Sequence, residues 1–280
     1  MPELPEVETV RTIIARELPG RSVSGVTFRD FPGVVGDIAP EAFGALITGR
    51  TFRQPERRGK YLLMPFDDEA ALVVHLRMTG RLLMLPGDAP LARFEHLAIH
   101  LDDGHDLRFA DQRKFGRVLY LPLDEARARL AGTLGPEPLG RRFTTDYLRE
   151  RLKNRTAPIK AFLLDQRNIA GLGNIYVDEA LFISRIHPLT PAGTLTDARI
   201  RSLVRSIRSV LRSAIANQGT TFSSFENPYG ERGSNADLLK VYGRAKRGEP
   251  CLRCGAPLAW MQLGGRGTSY CPRCQRLPEG

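Results

Sequence analysis

Apolar residues recur at spacings of three and four near the start of the chain. Val7, Val10, Ile14 and Leu18 line one side of a segment that reads as an amphipathic helix. Pro5 fits its first turn, where a missing N–H is no loss, and Glu6 and Glu8 lie near the positive end of the helix dipole. From Val26 to about Leu121 the pattern changes to short runs rich in Val, Leu, Phe and Tyr: KYLLMPF, ALVVHLRM, RLLMLP, HLAIHLDDG and RVLYLPL. Gly, Pro and Asp punctuate them, so they read as strands and hairpins of an all-β unit. The stretch LGPEPLGRRF is turn-rich and reads as a linker. Beyond it the pattern is helical: Thr145 to Leu152, then IKAFLLD opened by Pro158, then IYVDEALFIS after the turn AGLGN. A longer helix from Thr196 to Asn217 carries Ile200, Leu203, Val204, Ile207, Val210, Leu211 and Ile215 on one face, with Gly219 just past its end. The Ser-, Asn- and Gly-rich stretch from Thr220 to Asn235 reads as a mobile loop.

The expected fold class is therefore α+β and multidomain. Residues 1–133 form a β-sandwich with a leading helix, and 134–145 a linker. Residues 146–235 form a helical domain carrying the 220–235 loop, and 236–280 a small terminal module. The 280 residues and 42% hydrophobic content suffice for a core in each large domain. A net charge of +10 points to a polyanionic partner, with nucleic acid ahead of an anionic membrane surface. No apolar run approaches the roughly 18 residues of a transmembrane helix. No export signal opens the chain, so a cytosolic location is expected.

All four cysteines lie near the C-terminus, as Cys251, Cys254, Cys271 and Cys274, with the spacing C-x2-C-x16-C-x2-C. In a chain without an export signal this clustering favours a metal over two disulfides. Four thiolates close a tetrahedral Zn²⁺ site with no open position, which is structural rather than catalytic. Such a short segment buries little surface, so the metal supplies much of its folding energy. Between the pairs, APLAWMQLGGRGTSY reads as a hairpin with a glycine-rich turn. From Lys240 to Arg276 eight basic residues face one acidic residue, Glu249, which favours a DNA contact over an incidental basic surface. Arg266, between Gly265 and Gly267, is the candidate phosphate ligand.

The pair Gly171-Leu172-Gly173 lacks the third glycine and the preceding strand of a dinucleotide-binding turn. A two-helix hairpin fits better, its second helix opening near Asn174 with free backbone N–H groups. Lys160 and Asn174 are then candidate phosphate contacts, and a plain structural turn is an equal alternative.

Three motifs, PELPEVETVR at the start, GLGNIYVDEALF in the middle and the four-cysteine finger at the end, closely resemble formamidopyrimidine-DNA glycosylase and its relative endonuclease VIII. The resemblance implies a β-sandwich, a helix–two-turn–helix domain and a zinc-finger hairpin that clamp duplex DNA. It implies a bifunctional base-excision glycosylase and AP lyase acting on 8-oxoguanine, formamidopyrimidines and abasic sites. The expected cofactor set is one structural Zn²⁺ with no organic cofactor, the resemblance makes the cytosolic location bacterial, and a monomer is the default because nothing in the sequence demands an oligomer. Pro2, freed by removal of Met1, matches the nucleophile, Glu3 the essential carboxylate and Lys60 the strand lysine that reaches the lesion. Glu6 matches a further acid, with the helix-dipole role an equal alternative. Met78, Arg113 and Phe115 match the residues that fill the space of the extruded base. His75, Lys160, Asn174 and Arg266 match phosphate contacts. Leu4 and DQRKFG favour the oxidised-purine branch over the branch that begins Pro-Glu-Gly-Pro-Glu. A non-catalytic DNA-binding protein is the rival from another class, disfavoured by intact Pro2, Glu3 and Lys60.

Overall fold

The computed structural model describes residues 2–277. The leading periodicity becomes helix α1 (Leu4–Glu17), with Val7, Val10, Ile14 and the capping Leu18 all buried. Strand β1 (Val23–Phe28) and helix α2 (Pro40–Ile47) follow. The chain then runs through strands β2 (Glu56–Arg58), β3 (Tyr61–Pro65), β4 (Ala70–His75), β5 (Gly80–Pro86), β6 (Glu95–Leu101), β7 (His105–Asp111) and β8 (Arg117–Pro122). Helices α3 (Leu123–Thr133), α4 (Thr145–Leu152), α5 (Ile159–Leu164), α6 (Asn174–Ile183) and α7 (Asp197–Ala216) come next, and the hairpin β9 (Ala259–Leu263) and β10 (Arg266–Tyr270) closes the order.

The chain gathers into two compact units: one up to Gly132 together with Ile215–Ala236, the other Thr133–Ala214 together with the chain from Asp237 onward. The first holds two antiparallel four-stranded sheets, in the orders β1-β6-β7-β5 and β2-β3-β4-β8. Leu62, Met64, Leu72 and Val74 join the main core with Val7, Val10 and Ile14 of α1. The intervening Leu63, Ala71 and Val73 face a smaller cluster closed by Ala126 of α3. Both faces of β3 and β4 are thus covered, which is why KYLLMPF and ALVVHLRM are continuous apolar runs rather than alternating ones. Helices α2 and α3 are absent from the periodicity reading. Each buries only two apolar residues, Phe43 with Ile47 and Ala126 with Leu130, too few to mark a stripe.

The segment 220–235, assigned by its order in the chain to the helical domain and by its composition to a mobile loop, is tied into the first unit. Phe225 enters the sandwich core. Met84 N–H donates to Pro228 O at 2.8 Å, and Arg81 pairs with Glu226 at 2.5 Å. The Asn227 side chain accepts the N–H groups of Tyr229 and Glu231, each at 3.0 Å.

In the second unit, the Thr144 hydroxyl caps α4 by accepting Tyr147 N–H at 3.0 Å. Helix α6 is buried from Ile175 through Phe182, acidic residues included. Helix α7 buries Ile200, Leu203, Val204, Ile207 and Leu211 of the expected stripe, while Val210 and Ile215 are half-buried. No helix among the described residues is long and apolar enough to cross a membrane.

Candidate active site and nucleic-acid interface

Pro2 is buried immediately ahead of α1, and Glu3 is its N-cap. Glu3 and Glu6 form a reciprocal capping box, in which Glu3 N–H donates to Glu6 Oε2 at 2.8 Å. The other oxygen of Glu6 accepts Thr220 N–H at 2.7 Å. Both carboxylates are 1% exposed, and the backbone N–H groups offset the cost of taking them out of water. Glu6 thus does more than face a helix dipole: it braces the start of α1 against residue 220. Met1, whose removal the motif resemblance implies, lies outside the described residues.

Helix α1 packs on β2 and β3, and buried Lys60 sits in the tight turn joining those strands. Arg57 steadies the turn by donating to Gly59 O at 3.0 Å and to Glu8 of α1 at 2.6 Å. His75 ends β4, directly opposite Tyr61 and edge-on to its ring at 4.5 Å. Its Nδ1 accepts Arg77 N–H at 2.9 Å, so the neutral ring carries its proton on Nε2. Burial, helped by the Arg77 and Lys60 charges, pulls the imidazole from its ordinary 6.5 down to about 3. His75 is a neutral donor at physiological pH.

Met78, Arg113 and Phe115 come together although they belong to two turns. Gly80 of β5 pairs with Asp111 of β7, so the turn preceding one strand and the turn following the other leave the same sheet edge. The Arg113 guanidinium lies 2.8 Å from Met78 Sδ and 4.9 Å over the Phe115 ring. Phe115 is 51% exposed and Met78 37% exposed, an apolar pair offered to solvent rather than to the core.

In the second unit Lys160, a candidate phosphate contact by its sequence, has protein partners. It is fully buried, and its ammonium donates to Asp178 at 2.6 Å and to Gly267 O at 3.1 Å. Asn174 donates to the same carbonyl at 2.8 Å, and Asp178 also accepts Ser269 N–H at 2.9 Å. Burial raises the Asp178 carboxyl to about 6 against the opposing pull of Lys160. Lys160 and Asn174 therefore meet on the zinc-finger hairpin, and they seat exposed Arg266, the first residue of β10 after the two-residue turn Gly264–Gly265. Glu179 accepts the N–H groups of Lys240, Val241 and Tyr242 at 2.8–3.0 Å, a second tie from α6 to the chain leading into the finger. Sequence reasoning passed over Asp178 and Glu179. Their signal is two adjacent acids in an otherwise apolar helix, groups that must find partners if the helix is buried.

The four cysteine Sγ atoms lie within 4.8 Å of one another, with Cys251–Cys274 at 4.0 Å and Cys254–Cys271 at 3.5 Å. A tetrahedral site with Zn–S near 2.3 Å requires S···S distances of ~3.8 Å, and a disulfide requires about 2.05 Å. The cluster fits one zinc ion and no disulfide. Arg253 N–H and Cys274 N–H each approach a ligand sulfur, Cys251 and Cys271, at 3.4 Å, orienting the thiolates. Burial pushes the Cys271 thiol up to about 12, so a cation there displaces a proton.

Three family models match the chain in order. They are the formamidopyrimidine-DNA glycosylase N-terminal domain over residues 1–118, the H2TH domain of the same enzyme over 134–226, and the zinc finger found in FPG and IleRS over 248–277. A formamidopyrimidine-DNA glycosylase of Chloroflexus aurantiacus is 47% identical over 275 residues, covering 98% of each chain. Lactococcus lactis FPG, solved as a point mutant in complex with DNA containing Fapy-dG, superposes with a TM-score of 0.90 at 37% identity, covering 98% of this chain and 100% of that one. A MutM structure in complex with DNA containing carbocyclic 8-oxo-G matches with the same score and coverage at 36% identity.

Proposed function

The chain belongs to the formamidopyrimidine-DNA glycosylase family, and from that premise we propose how its own residues carry out base-excision repair. It is a DNA glycosylase with AP lyase activity on duplex DNA bearing 8-oxoguanine, formamidopyrimidines or abasic sites. Its working place is the bacterial cytosol and nucleoid.

Removal of Met1 leaves Pro2 as a secondary amine. An α-amino group titrates near 8, against about 10.4 for lysine, so more of it is neutral and nucleophilic. The opening of α1 two residues later adds positive potential that favours the neutral amine further. The Pro2 nitrogen forms a bond to C1′ as the glycosidic bond breaks, and the electron pair leaves with the base. The nitrogen gives up its proton, the C1′–O4′ bond then breaks with its electron pair going to O4′, and because the nitrogen is secondary the C1′=N product is an iminium with a fixed charge. It draws electrons from the sugar, so successive β- and δ-elimination release the flanking phosphates. Glu3, held by the capping box, protonates the opened sugar and relays protons. Lys60 faces the lesion and an adjacent phosphate, and neutral His75 offers Nε2–H to a phosphate oxygen. Met78, Arg113 and Phe115 replace the extruded base in the stack, and Arg113 faces the orphaned cytosine. Arg266 contacts phosphate from a hairpin that Lys160 and Asn174 hold in place.

The observation that carries this reading is the N-terminal arrangement: Pro2 and Glu3 are buried at the mouth of α1, which packs on the hairpin that presents Lys60. Borohydride reduction during incubation with abasic-site duplex tests it. The expected product is a covalent complex whose sugar remnant maps to Pro2 by mass spectrometry; a remnant on any lysine refutes the mechanism.

A further inference from the structure

Asp111 is 1% exposed, yet its side chain lies directly beneath three exposed residues. Its Oδ2 accepts Phe115 N–H at 2.8 Å and Gly116 N–H at 2.7 Å. Its Oδ1 accepts Arg113 N–H at 3.2 Å and the Thr79 hydroxyl, and Thr79 Oγ1 in turn accepts Arg113 N–H at 3.2 Å. One carboxylate thus takes donors from both turns: three N–H groups from the loop of Arg113 and Phe115, and one hydroxyl from the residue next to Met78.

The surroundings are built for close approach. A Cβ on Gly116 would collide with the Phe109 ring, and one on Gly80 would collide with Leu76 O, the carbonyl that accepts Gly80 N–H at 2.9 Å. Each turn also holds a non-glycine residue in the left-handed region, Arg77 at φ 54° and Lys114 at φ 59°. Such conformations persist where surrounding bonds over-determine them. An acceptor-only group is what four converging donors require. An amide of the same shape would turn an NH₂ against at least one of them, and at this burial water cannot make good the loss.

We propose that Asp111 is the positioning residue of the base-displacing cluster, locking the Met78 turn and the Arg113–Phe115 loop into one rigid wedge. The proposal rests on the reading of Met78, Arg113 and Phe115 given above. Asp111 touches no reacting atom; it sets how readily the wedge enters the stack in place of the damaged base.

The test is single-turnover cleavage by the full zinc-loaded chain and its Asp111→Asn variant. One duplex carries 8-oxoguanine opposite cytosine, and a matched duplex carries an abasic site. Excision of the intact lesion requires the base to be driven out, whereas the abasic site has no base to extrude. Asp111→Asn is expected to lose about 30-fold on the lesion, ~2 kcal/mol at 1.36 kcal/mol per decade, and at least tenfold less than that on the abasic duplex. A 2-aminopurine beside the lesion should brighten more slowly by a similar factor. Parallel losses on both duplexes, or no loss on either, overturn the proposal. If Asp111→Asn does not fold, Thr79→Val reads the same ratio by cutting only the tie to the Met78 turn. A fall of about fivefold, ~1 kcal/mol on the same scale, supports the proposal, and an unchanged ratio overturns it. Wild-type activity and borohydride trapping in the same assay separate the two readings: an inactive wild type sinks the function, whereas an active wild type with an unchanged Asp111→Asn ratio sinks only the wedge root.

Discussion

The proposed wedge in the first unit and the finger hairpin in the second both carry exposed residues, but they are anchored by different means. Met78, Arg113 and Phe115 stand on a sandwich whose core draws on α1, α2 and both sheets. There a single buried carboxylate is enough to fix two turns, because the strands beneath them are already rigid. Arg266 stands on a two-stranded hairpin with no such core. That hairpin is held by a four-sulfur cluster fitted to zinc and by the buried Lys160–Asp178 pair. Where apolar burial is large, polar groups only have to aim a loop; where it is small, coordination and ion pairing must also supply the fold.

Chelating the metal should break this contrast most visibly. Trp260, the chain's single tryptophan, lies in β9, so its emission reports the finger alone. Zinc sites of this kind contribute on the order of 10 kcal/mol to folding. Chelation should therefore red-shift Trp260 emission and abolish tight DNA binding while leaving the sandwich's melting transition in place. A simultaneous loss of both transitions would contradict the division drawn here.

Next in size is Lys160→Ala, which strands a buried carboxylate at Asp178. Breaking such a pair costs about 3–5 kcal/mol, so chemical denaturation should show that loss in the second unit's transition. Phe115→Ala sharpens the other side. As an exposed substitution it should change stability by less than about 0.5 kcal/mol, yet slow lesion excision by roughly tenfold, about 1.4 kcal/mol of the few kcal/mol needed to unstack a base. Arg266→Ala should weaken binding to damaged and undamaged duplex alike and reduce the salt slope of log K by about 1.

The last effect concerns pH. His75 titrates near 3 in the folded chain against an ordinary 6.5. The folded state therefore binds fewer protons than the unfolded one between those values. Stability linked to this group is fully present above pH 6.5 and is lost as pH falls toward 3. His75→Gln should flatten the acid limb of the first unit's stability profile, measured by urea melts at pH 4 to 7, and leave the profile above pH 7 unchanged.

Several of these elements were legible in the sequence for simple reasons. The α1 and α7 stripes are one-face patterns at helical spacing, and each helix lies within a few residues of its expected bounds. The cysteine spacing names its own geometry. What the sequence left obscure is the function of charged residues inside the units. Lys160 reads as a candidate phosphate contact, and only the approach of Asp178 and Gly267 O makes its burial tolerable. Asp111 carries no distinguishing signal in DQRKFG, and only the β5–β7 register brings Thr79 to it.

Apart from α2 and α3, the sequence by itself determined the main elements: which long segments coil into helices, which runs form strands, where a metal can be held, and that a helix follows Pro2 and Glu3. These follow from interactions between residues a few positions apart, which periodicity, capping and spacing record directly. Only the tertiary structure decided which distant groups meet. Glu6 reaches Thr220 across 214 positions, Lys160 reaches Gly267 across 107, and Asp111 gathers Thr79 with Arg113 and Phe115. Strand register and packing select those partners, and no local pattern encodes them.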